Sequence, residues 1–131
     1  MNQSPDGLSG TVVAFLRGEL DEDGPGVEGL VEDVAVEDLV FGTVRGRARA
    51  LSWWRAALAE FPHEVIVERV DVYERAIAVA TVVRGAVDES RFVAPRLTVA
   101  AVRKGRVVSM RNAWNDPRVL GETEGATFDA V

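Results

Sequence analysis

With no cysteine and a single histidine, His63, the chemistry open to this chain rests on carboxylates, amides and arginines. The lack of cysteine removes disulfides, thiolate metal sites and cysteine nucleophiles. One imidazole is too few for a histidine-based metal cluster. Asp21-Glu22-Asp23 sets three carboxylates in a row without the further ligand spacing of a calcium loop, and reads as a solvated loop. Arg45, Arg47 and Arg49 alternate around a helix start and read as a solvated face. Asn112 is different. It falls on one face of a strand over 106–114 with Val108, Met110 and Trp114, an amide on an otherwise apolar wall. A buried amide needs partners, so Asn112 either makes a structural hydrogen bond or reaches a ligand. His63 follows Pro62 and reads as a surface residue or a partner for a helix carboxyl end, with a catalytic role as the lesser alternative. Tyr73, beside Glu74-Arg75, reads as an exposed hairpin residue.

These residues need elements to hold them. Leu8, Val12, Phe15, Leu16 and Leu20 have helical spacing, which predicts a helix over 8–20, ended by the turn residues Asp21 to Gly26. Val27, Leu30 and Val31 suggest a short helical turn, and Val34 to Phe41 a short strand. Arg47, Leu51, Trp54, Leu58 and Phe61 follow i, i+4, i+7, i+11, i+14 in an alanine-rich segment, the clearest helix of the chain, ended by Pro62. Beyond it the period becomes two. Residues 65–72, 76–84, 91–102 and 106–114 are strand-like runs rich in β-branched residues. Arg103-Lys104-Gly105 is expected to be a tight hairpin with Gly105 left-handed. Leu97, Val99 and Ala101 are expected on the same concave, helix-facing side as Met110, Asn112 and Trp114. Helices first and then a meander of antiparallel strands is an α+β pattern with helices on one face of a sheet.

The chain has 131 residues, enough for one domain with its own core. Residues 1–7 and about 118–131 read as loosely attached. Hydrophobic residues are 47% and charged residues 27% of the total, as in a folded globule. No run of 18 apolar residues occurs, so no membrane span is expected. The first residues lack the basic and apolar regions of a secretory signal, and a cytoplasmic location is expected. A formal charge of −6 disfavours nucleic acid as a partner.

Two segments carry a resemblance. Val34-Ala35-Val36-Glu37-Asp38, and Val93-Ala94-Pro95 followed by Gly105-Arg106-Val107-Val108-Ser109-Met110-Arg111, are similar to segments of the steroid delta-isomerases. These belong to the nuclear-transport-factor-2-like superfamily, together with polyketide cyclases and limonene epoxide hydrolases. The resemblance runs from about residue 8 to 114. It implies a cone-shaped, highly curved, mostly antiparallel sheet wrapped around the helix 47–61, and a homodimer through the outer sheet face. It implies a pocket lined by Phe15, Trp54, Leu97, Val99, Met110, Asn112 and Trp114 for a small apolar molecule carrying a carbonyl or hydroxyl. Asp38 falls on the family's general base, with an exposed carboxylate as the other reading. No cofactor or metal is needed for such proton transfer. The family's two oxyanion donors, a tyrosine and a protonated aspartic acid of the kind the handling of enolates requires, fall on Ala14 or Phe15 and on Leu97, none of which can donate. Losing one such donor typically costs ~10²–10³ in rate, so Trp54 and Asn112 are the expected substitutes. The epoxide hydrolase pattern fits less well, since Asn112 stands where a carboxylate is expected. The cyclase acid falls near Asp116, which reads as a turn residue. The resemblance therefore implies a proton-transfer enzyme, with a non-catalytic binding module on the same fold as the competing reading.

Overall fold

The computed structural model describes residues 5–114. The loose tail expected over 118–131 and the turn at Asp116 lie outside the described residues. The first helix, α1, runs Pro5–Leu16, with proline at its first position, where its missing N–H costs nothing. Residues 5–7, expected to be loose, are thus helical. The helix stops at Gly18, which has φ 72°, and not in the loop from Asp21. The Gly18 N–H donates to Phe15 O and the Glu19 N–H to Ala14 O, satisfying carbonyls that the helix leaves open.

A 3-10 turn over Val27–Gly29 leads directly into β1, Leu30–Asp38, so Leu30 and Val31 belong to a strand. Then follow β2 (Gly42–Arg45), α2 (Arg47–Glu60), β3 (His63–Val72), β4 (Ala76–Val87), β5 (Ser90–Arg103) and β6 (Arg106–Trp114). The sheet order is β2-β1-β6-β5-β4-β3. Neighbours are antiparallel except β1 and β6, which are parallel. The sheet is curved and unclosed, with both helices on its concave side, as the α+β reading expects. Leu8, Val12, Phe15 and Leu16 of α1 and Ala50, Leu51 and Trp54 of α2 meet Val34, Val36, Ile77, Val79, Ala100, Val107 and Met110 in the main core. Val83, Phe92, Ala94 and Trp114 form a second buried cluster. Val40 and Phe41 pack against it, and Phe41 also packs against the main core.

One register detail decides which residues enter the cone. The β5–β6 hairpin turns through Lys104 and Gly105, with φ of 55° and 75°, as a two-residue connection whose positive φ values match the strand twist. Arg103 pairs with Arg106 and Val102 with Val107. The register then shifts, and Ala101 pairs with Ser109, leaving Val108 as an extra residue on β6. A bulge of one residue exchanges the two faces of everything beyond it. Arg96, Thr98 and Ala100 therefore stand opposite Trp114, Asn112 and Met110 on the concave face. Leu97 and Val99, expected there, lie on the convex face, 45% and 41% exposed.

Candidate functional site

The site grows from the buried face of β1. Val34, Val36 and Asp38 alternate inward with the strand period, while Glu37 points out and pairs with Arg111 at 3.1 Å. Asp38 is the last residue of the strand and is 2% exposed, which excludes the exposed-carboxylate reading. The parallel register sets it beside Asn112. Every group facing its carboxylate is a donor. The Val40 and Phe41 backbone N–H groups donate to Oδ1 at 2.8 and 3.0 Å, closing the chain into a turn just after the strand. Asn112 Nδ2 donates to Oδ2 at 2.9 Å. Trp114 Nε1 is shared between Oδ1 at 3.0 Å and Oδ2 at 3.2 Å. Thr98 Oγ1 in turn donates to Asn112 Oδ1 at 2.7 Å, which fixes the amide's orientation. The network is closed: it satisfies a buried acid and immobilises the side chains around it.

The expected substitute donors are both spent. Asn112 serves Asp38 and Thr98. Trp54 Nε1 donates to Leu16 O at 3.1 Å, so this indole ties α2 to the end of α1. Its ring stacks on Phe15, with centroids 5.6 Å apart, and both belong to the main core with Met110. Of the seven expected lining residues, Phe15, Trp54, Met110, Asn112 and Trp114 do converge on the concave side, and Leu97 and Val99 do not. The two indoles are bridged by Phe41, edge-on to each at 5.7 and 6.2 Å.

Two further residues complete the site: Arg96, which the sequence reading did not single out, and His63, which it placed at the surface or at a helix carboxyl end. Arg96 is 2% exposed, and its guanidinium lies over both indoles, 4.9 Å from the Trp114 ring centre and 5.6 Å from that of Trp54. Its Nε, Nη1 and Nη2 have no hydrogen-bond acceptor among the described residues. Burial lowers its pKa from 12.5 to about 10, and the charge of Asp38 opposes the fall. It remains a cation at neutral pH. His63, the first residue of β3, packs edge-on against Trp114 with ring centres 6.0 Å apart. Its Nδ1 lies 2.7 Å from Phe61 O, at the end of α2. A carbonyl can only accept, so Nδ1 carries the proton in the neutral ring and Nε2 holds a lone pair. That Nε2 is buried and without a partner among the described residues. Burial pushes the His63 pKa below its usual value, Arg96 adds to the fall, and the Phe61 carbonyl and Asp38 oppose it.

No local signal marked Arg96, because its face of β5 is set by the pairing with β6. The apolar Leu97 and Val99 concealed it. A cavity of about 400 Å³ lined by Arg17, Glu19, Leu58, Pro62, Glu64 and Val65 also borders His63. No group of three or more potential metal ligands occurs among the described residues. None of their helices is long and apolar enough to cross a membrane.

Comparison with known proteins returns no matching family model and no matching curated protein. Solved structures do match. A SnoaL-like polyketide cyclase from a Jannaschia species is 20% identical, with a TM-score of 0.72 over 97% of this chain and 99% of the other. An NTF2-like protein from Burkholderia pseudomallei is 16% identical, with a TM-score of 0.70 over 93% and 99%. A protein from Catenulispora acidiphila with a ketosteroid isomerase-like fold, solved with trimethylamine, is 17% identical, with a TM-score of 0.67 over 86% and 91%. At these identities the likeness establishes the fold, which is the nuclear-transport-factor-2-like cone that the resemblance implied.

Proposed function

We propose that the concave side around Trp54, Trp114 and Arg96 binds a small, largely apolar molecule through a carbonyl or enolate oxygen, and that the reaction is a proton shift of the isomerase or cyclase type. One observation carries the reading: a buried guanidinium lying over two indoles, none of whose nitrogens has a hydrogen-bond acceptor among the described residues. An unsatisfied buried cation is unfavourable in itself, and a partner that brings an oxygen with negative charge supplies what it lacks. Fixed donors aimed at developing charge in a dry site are the largest single source of rate enhancement in such chemistry. Arg96 thereby takes the role that the sequence reading gave to Trp54 and Asn112. Asp38 fits the site as its counter-charge. Its oxygens are occupied by N–H groups on all sides, so it holds Trp114, Asn112 and the Phe41 turn in place and moderates the charge of Arg96. The fold neighbours described as ketosteroid isomerase-like and polyketide cyclase-like support this class of chemistry.

The test uses 2-naphthol, whose oxygen and flat rings mimic an enolate. Titration followed by tryptophan fluorescence is expected to show saturable binding that weakens at least tenfold in Arg96→Met. Equal binding by both proteins would remove Arg96 from the site. Binding without any proton exchange on a ketone would favour the non-catalytic module. The reading extends to self-association: Val70, Val72, Val93, Leu97 and Val99 are exposed apolar residues of the sheet. A homodimer through them is expected at micromolar concentration in light scattering, and a monomer there rejects it.

A further inference from the structure

Resting on the site just described, we propose that His63 is its proton acceptor: Nε2 takes the α-proton of a ketone whose oxygen lies on Arg96. Three features of the geometry point to it. Nδ1 donates to Phe61 O, so the lone pair is fixed on Nε2. Nε2 is buried and unpartnered among the described residues, whereas the oxygens of Asp38 receive four donors. His63 and Arg96 both pack on the Trp114 ring, which places the base and the oxygen site against one indole. The step requires the ketone to lie against that ring, its oxygen on Arg96 and its α-carbon at Nε2.

The step balances within these groups. The α-carbon–hydrogen bond breaks and its electron pair moves into a new carbon–carbon double bond. The carbonyl π pair moves onto the oxygen, which Arg96 neutralises. The proton goes to Nε2, and the resulting imidazolium returns it to carbon, at the same atom or at a conjugated one. No other reactant is consumed. The Phe61 carbonyl accepts from Nδ1 throughout, and Asp38 stabilises the imidazolium at a distance, a role in which its occupied oxygens are no obstacle. A neutral imidazole is what such a base must be, and burial together with Arg96 keeps His63 in that form at pH 7. The charged groups around it are Arg96 on β5, Asp38 on β1, Arg17 and Glu19 across the bordering cavity, and Glu64 beside it, itself paired to Arg84. That cavity borders His63 and has exposed charged walls.

As the only histidine of the chain, His63 can be followed by NMR without assignment ambiguity. Nitrogen-15 shifts are expected to show a protonated Nδ1 and a bare Nε2 at pH 7, with a midpoint below the ordinary histidine value. The activity probe is proton–deuterium exchange at the α-carbon of 2-tetralone in D2O. His63→Gln is expected to lower it about 100-fold, within the ~10²–10⁴ of a lost general base, while 2-naphthol binding changes less than threefold. The acid limb of the wild-type rate profile should vanish in this variant. A proton on Nε2 at pH 7, or exchange and an acid limb that survive in His63→Gln, would overturn the proposal. If 2-naphthol still binds through Arg96 in those cases, the site stands and only the base is wrong. A wild type that neither binds 2-naphthol nor exchanges 2-tetralone refutes both readings.

Discussion

Replacing Arg96 by methionine should make the protein more stable. In most proteins, loss of a fully buried large side chain costs several kcal/mol. Here the guanidinium lacks a hydrogen-bond acceptor among the described residues, and its burial lowers its pKa from 12.5 to about 10. A fall of that size corresponds to about 3 kcal/mol against the charged folded form. Two cation–π contacts offset part of this, at about 1–2 kcal/mol each when desolvated. Methionine keeps most of the volume and replaces them with sulfur–aromatic contacts of about 0.3–1.5 kcal/mol each. Asp38 loses a distant opposite charge but keeps all its donors. The balance is a gain of about 1–2 kcal/mol for Arg96→Met, of the kind seen when buried charges give way to apolar groups. Urea unfolding followed by tryptophan fluorescence should show a higher midpoint with an unchanged slope. The melting temperature should rise by about 3–8 °C for a chain of this length. A loss of more than ~1 kcal/mol would refute the reasoning, since it would mean that the guanidinium is already paired in the folded protein. A gain in stability joined to lost ligand binding is the trade-off expected of a residue kept for function.

Other expectations concern the surrounding network. Asp38→Asn presents an amide N–H₂ to a shell made only of donors and should cost about 3–5 kcal/mol in urea unfolding. Thr98→Val removes the hydroxyl that orients Asn112 and should cost about 1–2 kcal/mol, whereas Leu97→Ala, one residue away on the convex face, should stay within about 0.5–1 kcal/mol. Because the folded His63 pKa is depressed, the unfolded chain binds more protons just below the ordinary value of 6.5. Stability should therefore fall as pH drops through 6.5 towards the folded value, and His63→Gln should remove that step from thermal melts recorded between pH 7 and 5. A step that persists in the variant would assign the effect to other groups.

The order of elements could be read along the chain because it depends on local pattern. The spacing of Leu51 and Trp54 gives α2, the β-branched runs give β3 to β6, and Lys104-Gly105 gives the last hairpin. Asp38 was singled out only through the family resemblance, and the structure then placed it inward in series with Val34 and Val36. The faces of β5 were not legible. Arg96-Leu97-Thr98-Val99 carries its apolar residues on the odd positions, and a local rule turns those inward. A single extra residue, Val108, reversed the outcome, because pairing with β6 fixes the face and pairing is a long-range property. The same holds for chemistry. The sequence supplied an acid, an amide, two indoles, one histidine and an arginine, but not which of them would neutralise one another. Tertiary structure spent the Asn112 amide and both indole N–H groups on Asp38, Thr98 and Leu16. It left Arg96 and Nε2 of His63, both against Trp114, without a hydrogen-bond partner among the described residues. A hydrogen bond used inside the fold is unavailable to a ligand, and that accounting can be done only once every partner has a position.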